Sequence, residues 1–481
     1  MNIARSTSKL FLANISSAIL QFAAIIYFES AIGLSTIGIF FLFQAVLGIL
    51  AIPADFGLRG AIEKRISEEQ DQGAFLASAF IIKSVPIVII CSAIALTAPY
   101  INEYVGTTVA VYLIIAILLQ EIANLSISVL KGELRVEETA SLQILRKIIW
   151  VVTSVLLVIH GLEVEALIFG ILSGLVTVSV IGWLRVSIQP TRPSLKHFRS
   201  LFSYAKYNLV SSVGGYFYNW MDIVIIGYFL SPSHVGAYEI AWRITSFTII
   251  FSKALSTTFF PQVSNWHASD SKEKIETKLT ELLALTPLIV VPAFFGVALY
   301  SVEILSIVFS EDAAIAWLAL IVLMTDEITE SVQTVLGRSL QAVNRPDLAA
   351  RATIVAVILN LILNVLLIQQ YGIAGAAVAT TLASLVGGVI LHWYYLQRFL
   401  TIRAPIRAWF ECCVASGLMA VCLLVLEQIT PVETIVQLTI VIVVGVISYS
   451  IFVLFSPTLK TLVRDQLNQL RSGSGESLYT S

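Results

Sequence analysis

The chain is a succession of apolar segments, each near the length of a membrane helix, separated by short polar turns. An α-helix rises about 1.5 Å per residue, so about 20 apolar residues cross a hydrocarbon layer about 30 Å thick. Within that layer a helix satisfies its own backbone hydrogen bonds, which an isolated strand or loop does not. Charged residues are only 12% of the sequence, about half the share a soluble domain uses to cover its surface. The expected fold is therefore an all-α polytopic membrane protein. Disorder and coiled coils are excluded, because the apolar residues come in long blocks without a sustained heptad. Cys91, Cys412, Cys413 and Cys422 all fall inside apolar blocks. They read as small hydrophobes and supply no disulfide or zinc framework.

About fourteen segments qualify: 10–28, 36–54, 74–98, 107–130, 143–160, 164–184, 207–230, 236–260, 281–301, 313–336, 352–368, 373–396, 410–429 and 434–455. Arg5 and Lys9 before the first run imitate a secretory signal, but the run is span-length and lacks a small-residue cleavage site. It reads as a retained helix. Lysine and arginine near span ends resist translocation, so their distribution sets orientation. Counting Arg146 and Lys147 at the start of the fifth segment with the loop before it, 26 of the 29 fall in the two tails and alternate loops, and the seven opposite loops hold none. The expectation is a multi-pass plasma-membrane protein with both termini cytoplasmic. A net charge of −2 offers no basic surface for nucleic acid.

The sequence also repeats itself. Leu156-Leu157-Val158-Ile159, Gly161-Leu162 and Leu172-Ser173-Gly174-Leu175-Val176 parallel Leu366-Leu367-Ile368, Gly372-Ile373 and Leu382-Ala383-Ser384-Leu385-Val386. This places segments 5 and 6 opposite 11 and 12, as two parallel, pseudo-symmetric six-helix lobes require. The expected organisation is an N-lobe at 1–184, a basic cytoplasmic linker at 185–206 and a C-lobe at 207–396. Two further helices at 397–455 and a cytoplasmic tail at 456–481 follow. The linker, with five cations and no carboxylate, reads either as an interfacial connector or as an ordinary positive-inside loop.

Ionisable groups inside spans are costly and need partners or a wet cavity. Asp222 and Arg243 lie at similar distances from the turn at Ser231-Pro232-Ser233 and so at similar depth. They can form an ion pair that fixes a hairpin or part of a ligand site. Lys253 and Lys83 lie nearer the cytoplasmic ends, at depths comparable to Glu121, Asp326, Glu327 and Glu330. Asp326 and Glu330 share a helix face, and two acids on one face hold a proton or recruit a cation. Asp326, Glu330 and Glu121 are thus candidates for proton or sodium coupling, with charge compensation of the lysines as the alternative. Asn14, Asn208, Asn219, Asn360 and Asn364 suit hydrogen bonding between helices. The sequence holds no phosphate-binding glycine loop with lysine, no zinc-spaced histidine pair and no nucleophile motif. No cofactor, metal or enzymatic activity is expected.

The stretch Tyr218-Asn219-Trp220-Met221-Asp222 to Ile226-Gly227, with Val235-Gly236-Ala237-Tyr238 and Ala241-Trp242-Arg243, resembles the seventh and eighth helices of polysaccharide transporters. Asp55-Phe56-Gly57-Leu58-Arg59, Phe260-Pro261, and Asn360 to Asn364 running into Tyr371-Gly372-Ile373-Ala374-Gly375 are similar to patterns of the same family. The resemblance covers nearly the whole chain. It implies a Wzx-like flippase of the multidrug/oligosaccharidyl-lipid/polysaccharide exporter superfamily, with a MATE-like fold and a cavity between two lobes. The implied cargo is a lipid-linked oligosaccharide on a polyprenyl phosphate or pyrophosphate. Membrane lipids and glycan-assembly enzymes are the further partners expected. Arg243, Lys253 and Lys83 would attract the phosphate, with Asp222 holding Arg243 when the site is empty and Asn14 as a further contact. Three rivals stay open: a cation-coupled multidrug exporter, a major-facilitator transporter, and a membrane-embedded glycosyltransferase or polymerase.

Overall fold

The computed structural model describes residues 3–269 and 271–473, and every regular element among them is helical. Side chains are described outside 3–16, 207–219, 466–473 and the isolated positions 251, 255, 257, 258, 261 and 268. The chain packs as two compact units, one ending at Glu239 and the other beginning at Ile240.

The first unit contains α1 (Ile3–Ile32), α2 (Leu34–Asp55), α3 (Leu58–Ser67), α4 (Gln72–Leu96), α5 (Ala98–Val105), α6 (Ala110–Gly132), α7 (Val136–Ile159), α8 (Val164–Arg185) and α9 (Leu195–Phe229). It also takes in the start of α10 (Pro232–Ser246). Glycines let α2 approach α9 and α10 closely. A Cβ on Gly38 would lie 1.8 Å from the Pro232 carbonyl oxygen, and one on Gly48 would lie 2.7 Å from the Trp220 indole nitrogen. The Tyr104 hydroxyl donates to the Val224 carbonyl at 2.7 Å, tying α5 to α9.

Of the basic linker, only residues 186–194 are non-helical; Leu195 onward is the first turn of α9. The segment is pinned to its neighbours. Thr191 N donates to the Gly73 carbonyl, Ser187 N donates to Glu133, and Arg135 donates to the Arg185 carbonyl. His197 closes a capping box with Ser194 and lies 3.2 Å from the Asp71 carboxylate.

The second unit continues α10 and adds α11 (Ile249–Ala268), α12 (Lys272–Leu285), α13 (Pro287–Val308), α14 (Trp317–Ala342), α15 (Pro346–Ala383), α16 (His392–Leu396), α17 (Ile406–Ile429), α18 (Ile435–Phe455) and α19 (Pro457–Gly473). A 3-10 turn precedes α14 and a π-helical stretch, Ser384–Leu391, joins α15 to α16. α15 reverses at Gly372, whose φ of 59° and ψ of −141° suit glycine alone. A Cβ on Gly375 would stand 2.2 Å from the Leu367 carbonyl, and Asn360 donates to the Thr380 hydroxyl across the bend at 3.0 Å. The tail begins with α19, whose Leu459 is buried with Cys412 and Val453. Glu411 binds Ser456 and Thr458 at its start. Ser472 and Gly473 close α19, and 474–481 fall outside the described residues.

Among the described residues, nine helical stretches are long and apolar enough to cross a bilayer. One of them, Pro346–Leu396, spans expected segments 11 and 12, because the reversal at Gly372 falls within it. The chain is a multi-pass membrane protein.

Candidate functional site

Two groups of charged side chains sit within the helices, one in each unit, and each lies beside a helix break. In the first unit α2 stops at Asp55 because Phe56 and Gly57 are both left-handed, with φ of 53° and 72°. Phenylalanine adopts this conformation at a cost of about 1 kcal/mol, and its ring packs on Phe202 at 5.6 Å. The break turns the chain so that Arg59, in the first turn of α3, reaches back over Asp55. Lys83 on α4 and Glu121 on α6 arrive from opposite chain directions. Lys83 is 11 residues from the start of α4 and Glu121 is 11 residues from the end of α6, about 16 Å along each axis.

These four residues form one charge-balanced network. Lys83 Nζ lies 2.8 Å from Asp55 Oδ1 and also contacts Glu121 Oε2. Arg59 Nη2 lies 3.1 Å from Glu121 Oε1, and its Nε lies 3.3 Å from Asp55 Oδ1. The Asp55 carboxylate also faces the Arg59 amide, at the positive end of α3. Leu58, Ile62 and Ile66 of α3 pack with Leu76, Leu125 and Val129 in one buried apolar cluster beside the break. Lys83 and Glu121 are thus brought together. Asp55 and Arg59 are the members that sequence reasoning missed. Arg59 counts as a loop cation in the charge distribution, and nothing local announces Glu121, 62 positions away.

Elsewhere in this unit Asp222 is buried and accepts a hydrogen bond from the Tyr238 hydroxyl at 2.8 Å. The side chains of Asn14, Asn208 and Asn219 lie outside the described residues.

In the second unit the expected eighth span, 236–260, is broken at Phe247–Thr248, between α10 and α11. Arg243 is in the last turn of α10, where a cation complements the helix dipole, and is half-buried. Lys253 is in the first turns of α11, which packs on α14. Its charge acts on Glu327 and Glu330, while the Thr245 hydroxyl donates to the Trp242 carbonyl at 3.0 Å. Asp326 is buried and accepts from Thr329 at 3.3 Å. Beside this break lies an apolar cavity of about 600 Å³, lined by Ile244, Phe247, Pro292, Met324, Leu423 and Val441 among others. Among the described residues no cluster of histidine, cysteine and carboxylate side chains suits a metal ion.

Charged groups at breaks in membrane helices mark binding or coupling sites in transporters. Comparison with known proteins agrees with a transporter. A family model described as polysaccharide biosynthesis protein matches residues 32–321. The chain belongs to this polysaccharide biosynthesis family. It is 49% identical over 466 residues to a probable low-salt glycan biosynthesis flippase of Haloferax volcanii, covering 97% of this chain and 98% of the relative. A second protein of that organism, a probable flippase, is 28% identical over 98% of this chain and 99% of its own length. Among solved structures, the lipid II flippase MurJ in an inward closed conformation aligns with a TM-score of 0.79 at 17% identity, over 93% of this chain and 98% of that one. An inward-facing multidrug exporter of the MATE family aligns at 0.66 and 16% identity, over 79% and 94%. These two establish a shared fold. The resemblance to Wzx-like flippases read from the sequence therefore holds.

Proposed function

We propose that this polysaccharide biosynthesis family member is a flippase. It carries a lipid-linked oligosaccharide, on a polyprenyl phosphate or pyrophosphate, from the cytoplasmic to the outer leaflet for glycan assembly. The observation that carries this reading is the end-to-end 49% identity to a protein named as a glycan biosynthesis flippase. On this reading the chain lies in the plasma membrane with both termini cytoplasmic and crosses it fourteen times, in two six-helix lobes followed by two helices. Movement is by alternating access, without covalent chemistry on the cargo.

The side chains suit such a cargo. Arg243 and Lys253 supply the positive charge that an anionic headgroup requires, arginine as a planar fork and lysine as a point charge. The apolar cavity beside them suits part of an isoprenoid chain. Asp326, Glu327 and Glu330 facing Lys253 form a group able to exchange a proton or sodium ion, which would couple transport to an ion gradient. A multidrug exporter is the second reading, favoured only by the fold shared with that class. Deleting the gene tests the choice. A flippase predicts loss of the surface glycan, with its lipid-linked precursor accumulating on the cytoplasmic leaflet. A drug exporter predicts an intact glycan and drug sensitivity, and that outcome would overturn the proposal.

A further inference from the structure

The unit-one network contains a cation built to change partners. Of its four side chains Arg59 is the most exposed, at 30% against 10% for Asp55, 4% for Lys83 and 1% for Glu121. An incoming anion therefore meets Arg59 first. The guanidinium is spread over two different carboxylates and receives one oxygen from each, at 3.3 and 3.1 Å. Arginine binds best when one anion offers two oxygens to its fork, as a phosphate does. Both carboxylates also hold Lys83. Releasing Arg59 therefore leaves Lys83 to serve both with one negative charge in excess, so an anion displaces the carboxylates only by holding the guanidinium more tightly than they do. The same position lies at the start of α3, where backbone amides favour negative charge.

We propose that Arg59 is a phosphate-receiving residue of the transport path: a phosphate group on the lipid-linked cargo takes the guanidinium from Glu121 and Asp55, while Lys83 retains both carboxylates. Asp55 and Glu121 act as resident anions that keep Arg59 in place between cargoes. The inference rests on the flippase reading and adds a contact in the first unit, separate from Arg243 and Lys253.

The test uses the full chain in lipid nanodiscs and measures binding of farnesyl phosphate, with farnesol, phosphatidylglycerol and inorganic phosphate as parallel probes. The wild type binds farnesyl phosphate and not farnesol. Arg59→Gln weakens this binding by roughly 10- to 100-fold, the range expected for losing charged hydrogen bonds, and Arg59→Lys loses less. Because Arg59→Gln leaves the network with excess negative charge, the decisive variant is Arg59→Gln with Glu121→Gln, which keeps Asp55 and Lys83 as a neutral pair. Binding that stays weak in this double variant supports the inference. Binding that returns to the wild-type level means that Arg59 merely compensates Glu121, and overturns it. A loss confined to phosphatidylglycerol assigns the residue to bulk lipid and also overturns it. Undiminished binding by Arg59→Gln beside normal wild-type binding sinks this inference alone. A wild type that binds none of the phosphate probes sinks the flippase reading with it.

Discussion

Replacing Lys83 with methionine isolates the energetics of the buried network. The ammonium is 4% exposed and serves Asp55 and Glu121 together. Its loss leaves two carboxylates to share Arg59, so one negative charge is uncompensated among side chains that are 10% exposed or less. Breaking a buried pair in this way costs about 3–5 kcal/mol. Adding Glu121→Gln removes the excess charge and leaves Arg59 with Asp55, so the double variant should recover most of that loss. A neutral replacement of comparable volume is close to neutral in cost. Unfolding equilibria in mixed detergent, followed by tryptophan fluorescence, measure both. A Lys83→Met variant within about 1 kcal/mol of wild type, or a double variant no better than the single, would show that these charges do not depend on one another in the way described.

Other substitutions probe the frame. Tyr238→Phe removes the donor that Asp222 accepts and should cost about 1.5–3 kcal/mol, read by the same titration. Gly38→Ala drives a methyl group into the Pro232 carbonyl and should cost about 1–3 kcal/mol by overpacking. Gly417→Ala, which meets nothing within 4 Å, should leave the folded yield on size exclusion unchanged or raised. Gly372→Ala forces a side chain into a conformation that suits glycine and should cost about 1–3 kcal/mol, seen as a lower unfolding midpoint.

The helical class was legible because hydropathy is a property of each segment alone. The reversal near Gly372 was legible too, since a Tyr-Gly step between apolar runs marks a turn. The break between α10 and α11 was not: Ser246-Phe247-Thr248 contains no glycine or proline, and an uninterrupted apolar run reads as one helix. Depth counting put Glu121, Asp326, Glu327 and Glu330 at depths comparable to Lys83 and Lys253, since residue number converts to height along a helix. It could not say which helices are neighbours, so Asp55 and Arg59 were left out of the site. Arg59 was further obscured because counting cations toward orientation treats every one near a span end as lying in water. Its partnership with Glu121 depends on two left-handed residues that redirect the chain, a feature of backbone conformation that hydropathy does not record.

The most direct measurement is translocation in a defined membrane. The purified chain would be reconstituted into liposomes holding a fluorescent lipid-linked oligosaccharide in both leaflets, and a membrane-impermeant quencher added outside. If the protein is the flippase described, wild-type vesicles lose essentially all of the fluorescence as inner-leaflet lipid is exchanged outward, while protein-free vesicles stop near half. Vesicles containing folded wild-type protein that also stop near half would contradict the account.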